Sequence, residues 1–325
     1  MAVKIGFIGS GGIAGHHMRQ LDTQKGVRMV AFADVDMARA QACADHYKGR
    51  AYQDYRAMLD AEELDGVFIC TPPHVHGDIE FACIERKLPM FIEKPIANNL
   101  PTAKKIARAV AEAGIITAVG YHWRYIQASV EARKALKGQT ICMAVGSWCG
   151  GFPGVPWWRR KDQGGGQNIE QTTHIFDLLR YLCGEVTHVQ AIYARRIMHT
   201  RMKGSTVEDV GTTNLKLASG AIASITNCCC ARNWGMVGLK VITHDLVCEI
   251  DGSDGAIIPA EGARRQIPAA EGQAARVSAA FINAIKRGNP ALVASDYADA
   301  LKTLAVTIAA AQAAESKELV RVPRV

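Results

Sequence analysis

Residue types capable of chemistry gather in three places in this sequence. The first runs Gly164-Gly165-Gly166-Gln167-Asn168-Ile169-Glu170-Gln171-Thr172-Thr173-His174-Ile175-Phe176-Asp177. A helix across it sets Glu170, His174 and Asp177 at i, i+4 and i+7, on one face. Ile175, Leu178, Leu179 and Leu182 take the opposite face and hold the helix down. The same spacing describes the wet side of an amphipathic helix, or a set of metal ligands. No second cluster of metal-type residues accompanies it, so no metal is expected. The triple glycine ahead of the helix lets a ligand approach the backbone, which favours a functional face.

The second place is Gly9-Ser10-Gly11-Gly12-Ile13-Ala14, a GxGxxA loop between an apolar run and a helical stretch. Gly9 permits the tight turn and Gly11 lets the backbone approach a pyrophosphate. Gly12 and Ile13 open the helix toward the phosphates, and Ala14 lets it pack close to the strand. Asp34 follows about 20 residues later, where a carboxylate accepts hydrogen bonds from ribose hydroxyls and repels a 2′-phosphate. Val35 stands next to it instead of an arginine, so NAD is expected, with NADP left possible by Arg39. The third place is a pair of strand ends, Thr71-Pro72-Pro73-His74-Val75-His76 and Glu93-Lys94-Pro95. Ligands of open parallel sheets sit outside such ends, so Thr71, Pro72, His76, Glu93 and Lys94 join the expected cofactor contacts. His74 and His76 could be read as a metal pair, but helix capping and packing account for them.

These residues need elements to hold them. Apolar runs at Val3–Ile8, Val27–Ala33, Gly66–Cys70, Met90–Ile92 and Thr117–Val119 alternate with helical stretches near Ile13–Gln24, Met37–His46, Val75–Lys87 and Leu100–Ala113. That rhythm predicts βαβ units and a parallel sheet. After Tyr121 it changes. A helix near Gln127–Lys137, a strand at Ile141–Trp148, a Gly/Pro/Trp-rich loop and a helix over Asn168–Cys183 come first. Strands then follow one another at Val186–Ile192, Gly211–Leu217, Ala221–Asn227, Leu239–Ile242 and Leu246–Ile250, which predicts an antiparallel sheet. Helices at Glu271–Arg287 and Asp296–Ser316 close the chain. Domains are expected at residues 1–122 and 123–325.

In order, the glycine loop, TPPHVH, EKP, Gly120–Tyr125 (GYHWRY), Trp158-Arg159 and GGGxxxExxxHxxD resemble the Gfo/Idh/MocA family of sugar and cyclitol dehydrogenases. The resemblance implies an α/β Rossmann domain and an α+β domain with an open, mostly antiparallel sheet. It also implies a homodimer or homotetramer joined through that sheet. Lys94 matches the family's EKP lysine and His174 its catalytic histidine. The family's DxGxH reads Glu170-Gln171-Thr172-Thr173-His174 here, so the acid is one methylene longer and the glycine is lost. The mechanism stands; the substrate stays open.

By that resemblance, a secondary alcohol of a sugar or cyclitol passes hydride to NAD. His174 serves as base, since an ordinary imidazole pKa of about 6.5 suits the role. Lys94 stabilises alkoxide charge and Glu170 orients the pair. Asp177 holds a substrate hydroxyl, while Arg124, Trp158 and Arg159 line the cleft. A redox-neutral NAD-dependent glycosidase, a non-catalytic NAD-binding regulator and a reductase of imines or tetrapyrroles are the rivals. Presence of both Lys94 and His174 argues against the regulator.

Bulk properties set outer bounds. With 325 residues, 49% hydrophobic and 21% charged, the chain is a folded protein long enough for two cores. Its net charge of +7 is spread over separate short groups such as Arg159-Arg160-Lys161, Arg195-Arg196 and Arg264-Arg265, so no nucleic-acid partner is expected. The 10 cysteines include no CxxC pair, and they read as buried free thiols of a reducing, cytoplasmic compartment. Gly6, Gly9, Gly11 and Gly12 interrupt the first apolar run, which predicts no signal peptide. No run reaches the ~18 to 20 apolar residues of a membrane span.

Overall fold

The computed structural model of the protein describes residues 2–325. Its contacts divide the chain into two units, one running to Gly120 and including Ala274–Leu301, the other Tyr121–Gln273 with Lys302–Val325. The expected division at 122/123 therefore misses a return: residues 274–301 belong to the first unit. A helix near the chain end completes the first core, which apolar patterning alone does not reveal.

The first unit is a six-stranded parallel sheet ordered β3-β2-β1-β4-β5-β6. Its strands are β1 (Val3–Ile8), β2 (Val27–Ala33), β3 (Arg50–Tyr52), β4 (Gly66–Ile69), β5 (Met90–Ile92) and β6 (Thr117–Val119). Between them run α1 (Gly12–Asp22), α2 (Met37–Tyr47), α3 (Tyr55–Ala61), α4 (Asp78–Glu85) and α5 (Leu100–Ala113). Strand order reverses between β1 and β4, the point at which doubly wound sheets bind nucleotides. Local chemistry sets the helix ends. Asp36 caps α2 by accepting from the Ala38 amide, and Asn99 caps α5 by accepting from Thr102. Pro101 sits in the first turn of α5, and Gly114 ends it at φ 62°. Phe7, Phe32, Phe68 and Phe91 fill the sheet's interior.

In the second unit a nine-stranded open sheet runs β14-β13-β12-β11-β7-β10-β9-β8-β15. The strands are β7 (Ile141–Cys149), β8 (Val186–Ala194), β9 (Val210–Leu217), β10 (Ile222–Cys228), β11 (Met236–Thr243), β12 (Leu246–Asp251), β13 (Asp254–Pro259), β14 (Arg265–Ile267) and β15 (Val320–Arg321). All neighbours are antiparallel except β7 and β10. Helices α6 (Gln127–Ala135) and α9 (Thr173–Cys183) cover one face. Gly146 on β7 makes that packing close, because a Cβ there would lie 2.6 Å from Ile175 Cγ2. Short helices α7 (Lys161–Gly164), α8 (Gln167–Glu170) and α10 (Met198–Arg201) lie in the connections. Two long helices, α11 (Arg276–Arg287) and α12 (Tyr297–Ser316), come last, and α12 passes from one unit into the other. No helix among the described residues is long and apolar enough to cross a membrane.

The expected helix over 168–183 is interrupted. It comprises α8 and α9, with Gln171 and Thr172 as a turn between them. There the amide of Thr172 reaches back to Gln167 O, and that of His174 only to Gln171 O. One wide and one tight hydrogen bond replace the regular ladder, a local bulge of the kind found at functional sites.

Candidate active site

In the first unit, the glycine loop leaves β1 with Gly9 at φ 91°. An added Cβ there would lie 2.5 Å from Cys70 O, so only glycine fits. Gly11 precedes α1 without any side-chain cap, and nothing lies within 4 Å of a Cβ built at Gly11 or Gly12. No side chain caps the first turn of α1, which leaves its amides for a phosphate as at other helix starts. Ala14 is fully buried against the sheet, whereas Ile13 is largely exposed. Asp34 accepts from the Ser10 amide at 2.7 Å and from the Asp36 amide at 2.9 Å. The acid is thereby fastened to the glycine loop, and Val35 beside it is 88% exposed.

Thr71 and Pro72 follow β4. Thr71 Oγ1 and His76 Nε2 are both buried without a hydrogen-bond partner among the described residues. Buried polar atoms in folded proteins are normally paired, so these two atoms fit a bound dinucleotide. The other nitrogen of His76 bonds Glu80, whose second oxygen accepts from the Gly77 amide at 2.7 Å. Glu80 thus caps the start of α4, and His76 holds Glu80 instead of capping the helix itself. At the end of β5, Glu93 is buried and Lys94 half-buried, with a cis peptide joining Lys94 to Pro95.

In the second unit His174 is buried in an aromatic surround. Trp148 stacks on its ring at 5.3 Å, His122 lies edge-on at 4.7 Å, and Tyr121 meets it at 6.0 Å. Tyr121 shares a 2.9 Å hydrogen bond with Thr173 Oγ1. Burial, and then the Asp177 carboxylate, push the Tyr121 phenol well above its ordinary pKa. Glu170 accepts from Trp158 Nε1 at 2.6 Å. Trp158 is itself buried with Val207 and Cys229, against Phe152 and Trp157. Gln167 fixes this region to the sheet, donating to Cys228 O at 2.9 Å and accepting from Asn227 at 2.9 Å.

Asp177 and Arg124, expected to meet a substrate, bond each other instead. Asp177 is 0% exposed and Arg124 4%. The guanidinium spans both carboxylate oxygens at 2.7 and 2.5 Å, and Thr303 Oγ1 donates to one of them. Arg159 turns toward Lys203 O at 3.3 Å. Trp148, Tyr121 and His122 surround His174 without any sequence spacing that points to them, although Tyr121 and His122 lie within GYHWRY. Among the described residues, no group of three or more His, Cys, Asp or Glu side chains is placed to hold a metal.

Two family models match this chain. Residues 3–121 match the NAD-binding Rossmann fold of an oxidoreductase family, and residues 138–258 match the GFO/IDH/MocA C-terminal domain. The chain belongs to the GFO/IDH/MocA family. It is an oxidoreductase with an NAD-binding Rossmann domain, as the ordered motifs imply. An inositol 2-dehydrogenase of Rubrobacter xylanophilus is 25% identical over 291 residues, covering 86% of this chain and 80% of that one. The scyllo-inositol 2-dehydrogenase (NAD(+)) of Bacillus subtilis is 27% identical, covering 78% and 73%. The fold is also that of a levoglucosan dehydrogenase solved with NADH and levoglucosan, with a TM-score of 0.89 at 20% identity and full coverage of both chains.

Two of these placements make predictions. Asp34→Ser combined with Val35→Arg removes the charge that repels a 2′-phosphate and adds a partner for it. Cofactor preference, read as the ratio of kcat/KM for NAD and NADP, should move toward NADP. Better use of NADP by the unaltered protein would contradict the role of Asp34. Arg124→Leu strands the Asp177 carboxylate in the interior, which should cost about 3–5 kcal/mol of stability in denaturant titration. Unchanged stability with weakened substrate binding would return Arg124 to the substrate.

Proposed function

We propose that this GFO/IDH/MocA protein oxidises a secondary alcohol of a cyclitol, sugar or sugar derivative with NAD. The observation that carries the reading is His174, a buried imidazole walled by Trp148, His122 and Tyr121 in a family of NAD-linked oxidoreductases. Relatives named inositol 2-dehydrogenase support a polyhydroxylated ring as substrate.

Bound NAD would supply the hydride acceptor for the carbon-bound hydrogen of the alcohol. His174 takes the hydroxyl proton, so one C–H and one O–H bond break as the carbonyl forms. Lys94 stabilises negative charge developing on the oxygen. Trp148 and Tyr121 hold the imidazole ring in place. Glu170, itself oriented by Trp158, steadies the catalytic groups. Asp177 on α9 and Arg124 act as a buried ion pair, in place of the substrate contact expected of them. Gly9, Gly11 and Gly12 free the backbone amides for the pyrophosphate, and Asp34 receives the ribose hydroxyls. Thr71, Pro72 and His76 complete the cofactor contacts, while Glu93, expected among them, has both carboxylate oxygens held within the protein.

A second copy of the chain is the partner for the uncovered sheet face. Val145, Ile192 and Ile222 point outward there, with exposures of 42%, 71% and 54%. Light scattering of the purified protein, with Ile192→Asp as control, reads that association.

The function is tested by a panel of cyclitols and sugars assayed for NADH appearance, with NADP in parallel. Net NADH formation with at least one cyclitol or sugar is the expected result. Turnover without net NADH would replace the dehydrogenase with redox-neutral chemistry, and no turnover across the panel would sink the reading.

A further inference from the structure

The first unit contains a buried polar chain that ends at the backbone of Lys94. It begins on α11, where Ser278 is fully buried and donates to Gln20 Oε1 at 3.0 Å. Ser278 Oγ lies 2.8 Å from His17 Nδ1, and His17 Nε2 lies 2.8 Å from Glu93 Oε1. The other oxygen of Glu93 accepts from the Lys94 amide at 3.0 Å. Both ring nitrogens of His17 are thus engaged, and both Glu93 oxygens have partners.

Packing fixes the chain further. His17 is only 3% exposed, with its ring edge-on to Phe91 at 4.8 Å and tilted against Phe68 at 5.4 Å. Glu93 is 7% exposed. A Cβ at Gly120 would lie 2.5 Å from Glu93 Oε1, so the glycine makes room for this carboxylate. Burying a carboxylate and an imidazole adds little stability over apolar side chains of the same shape. Stability alone therefore does not account for a polar chain through an aromatic interior. What it does achieve is a fixed carboxylate at the foot of Lys94.

Building on the role given to Lys94 above, we propose that His17 is a positioning residue for Lys94. It holds Glu93 so that the carboxylate pins the Lys94 amide at the end of β5. The same histidine stands on α1, about one and a half turns after the Gly11–Gly12 opening, so one helix carries both the proposed phosphate cradle and the support of the lysine. Ser278 holds the ring from behind.

The test compares His17→Leu, which removes both hydrogen bonds, with His17→Gln, which keeps a donor within reach of Glu93. Three quantities are read: kcat and KM with the best cyclitol or sugar of the panel, NADH affinity by fluorescence, and amide hydrogen exchange at Lys94 by NMR on protein carrying labelled lysine. His17→Leu should lower kcat by about 10- to 100-fold, the usual cost of losing the support of a site residue. KM and NADH affinity should stay as they were. Exchange at Lys94 should quicken while the other β5 amides keep their protection, and His17→Gln should restore most of both effects. Normal kcat per folded molecule with unchanged exchange at Lys94 would overturn the proposal. So would NADH affinity falling as far as kcat, which would make His17 a binding residue. If His17→Leu does not fold, Ser278→Ala decides the question, with quickened exchange expected and unchanged exchange contradicting. A fully active Lys94→Met protein would defeat the role of Lys94 itself, and the exchange measurement would still decide the link from His17.

Discussion

His174→Ala should abolish alcohol oxidation while the protein keeps its fold. The apolar side of α9 explains the second half of that expectation. Ile175, Leu178 and Leu179 are fully buried and Leu182 nearly so, and they anchor the helix independently of the imidazole. Leu178→Ala, by contrast, should cost about 2–5 kcal/mol of stability while activity per folded molecule is mostly retained. The pH profile separates the two roles. A base must be unprotonated to accept the hydroxyl proton, so oxidation by the unaltered protein should fail once acid protonates His174. Whatever activity His174→Ala retains should lack that acidic limb in kcat/KM. An active variant that melts much earlier than the parent protein would make His174 structural.

Lys94→Met should lower kcat by roughly two to three orders of magnitude, the scale of losing one electrostatic donor from a transition state. The expectation follows from timing. Charge on the substrate oxygen grows only as the proton and hydride leave, so the ammonium acts mainly on the transition state. NAD affinity should therefore change far less than kcat. Methionine nearly matches the length of lysine without its charge, so a fold defect is not expected from the half-buried position at the end of β5. Near-normal kcat in this variant would remove the lysine from the mechanism.

The glycine loop and the strands that carry it are legible in the sequence because their signals are local. Short apolar runs give buried parallel strands, a glycine that alone fits at φ 91° gives the loop, and an acid just after β2 marks the carboxylate proposed for the ribose. Elements below that grain leave no pattern. β3 and β15 span three and two residues, too short to show a period. α3 has only seven residues, and β13 and β14 lie in a stretch without clear alternation. The return of 274–301 to the first unit is a tertiary fact, with no local signature in the chain.

The candidate site divides the same way. Ordered motifs point to Lys94 and His174, but helical spacing does not tell an outward carboxylate from one turned inward. Asp177 shares the face of His174 in projection, yet its partners Arg124 and Thr303 lie 53 and 126 residues away in sequence. The break between α8 and α9 also escapes periodicity, because Gln171 and Thr172 stay helical in dihedral angle while the hydrogen-bond ladder slips. His17 belongs to none of the motifs, since its meaning depends on Glu93, which folding alone brings to it.

The most direct test follows the hydrogen itself. A cyclitol or sugar that the panel identifies is prepared with deuterium on the carbon that is oxidised, and the reduced cofactor is examined by mass spectrometry. Deuterium should appear in the NADH in proportion to product formed, with kcat/KM lowered by a primary isotope effect. Product formation with deuterium retained on carbon or lost to water would contradict hydride transfer to NAD as the chemistry of this protein.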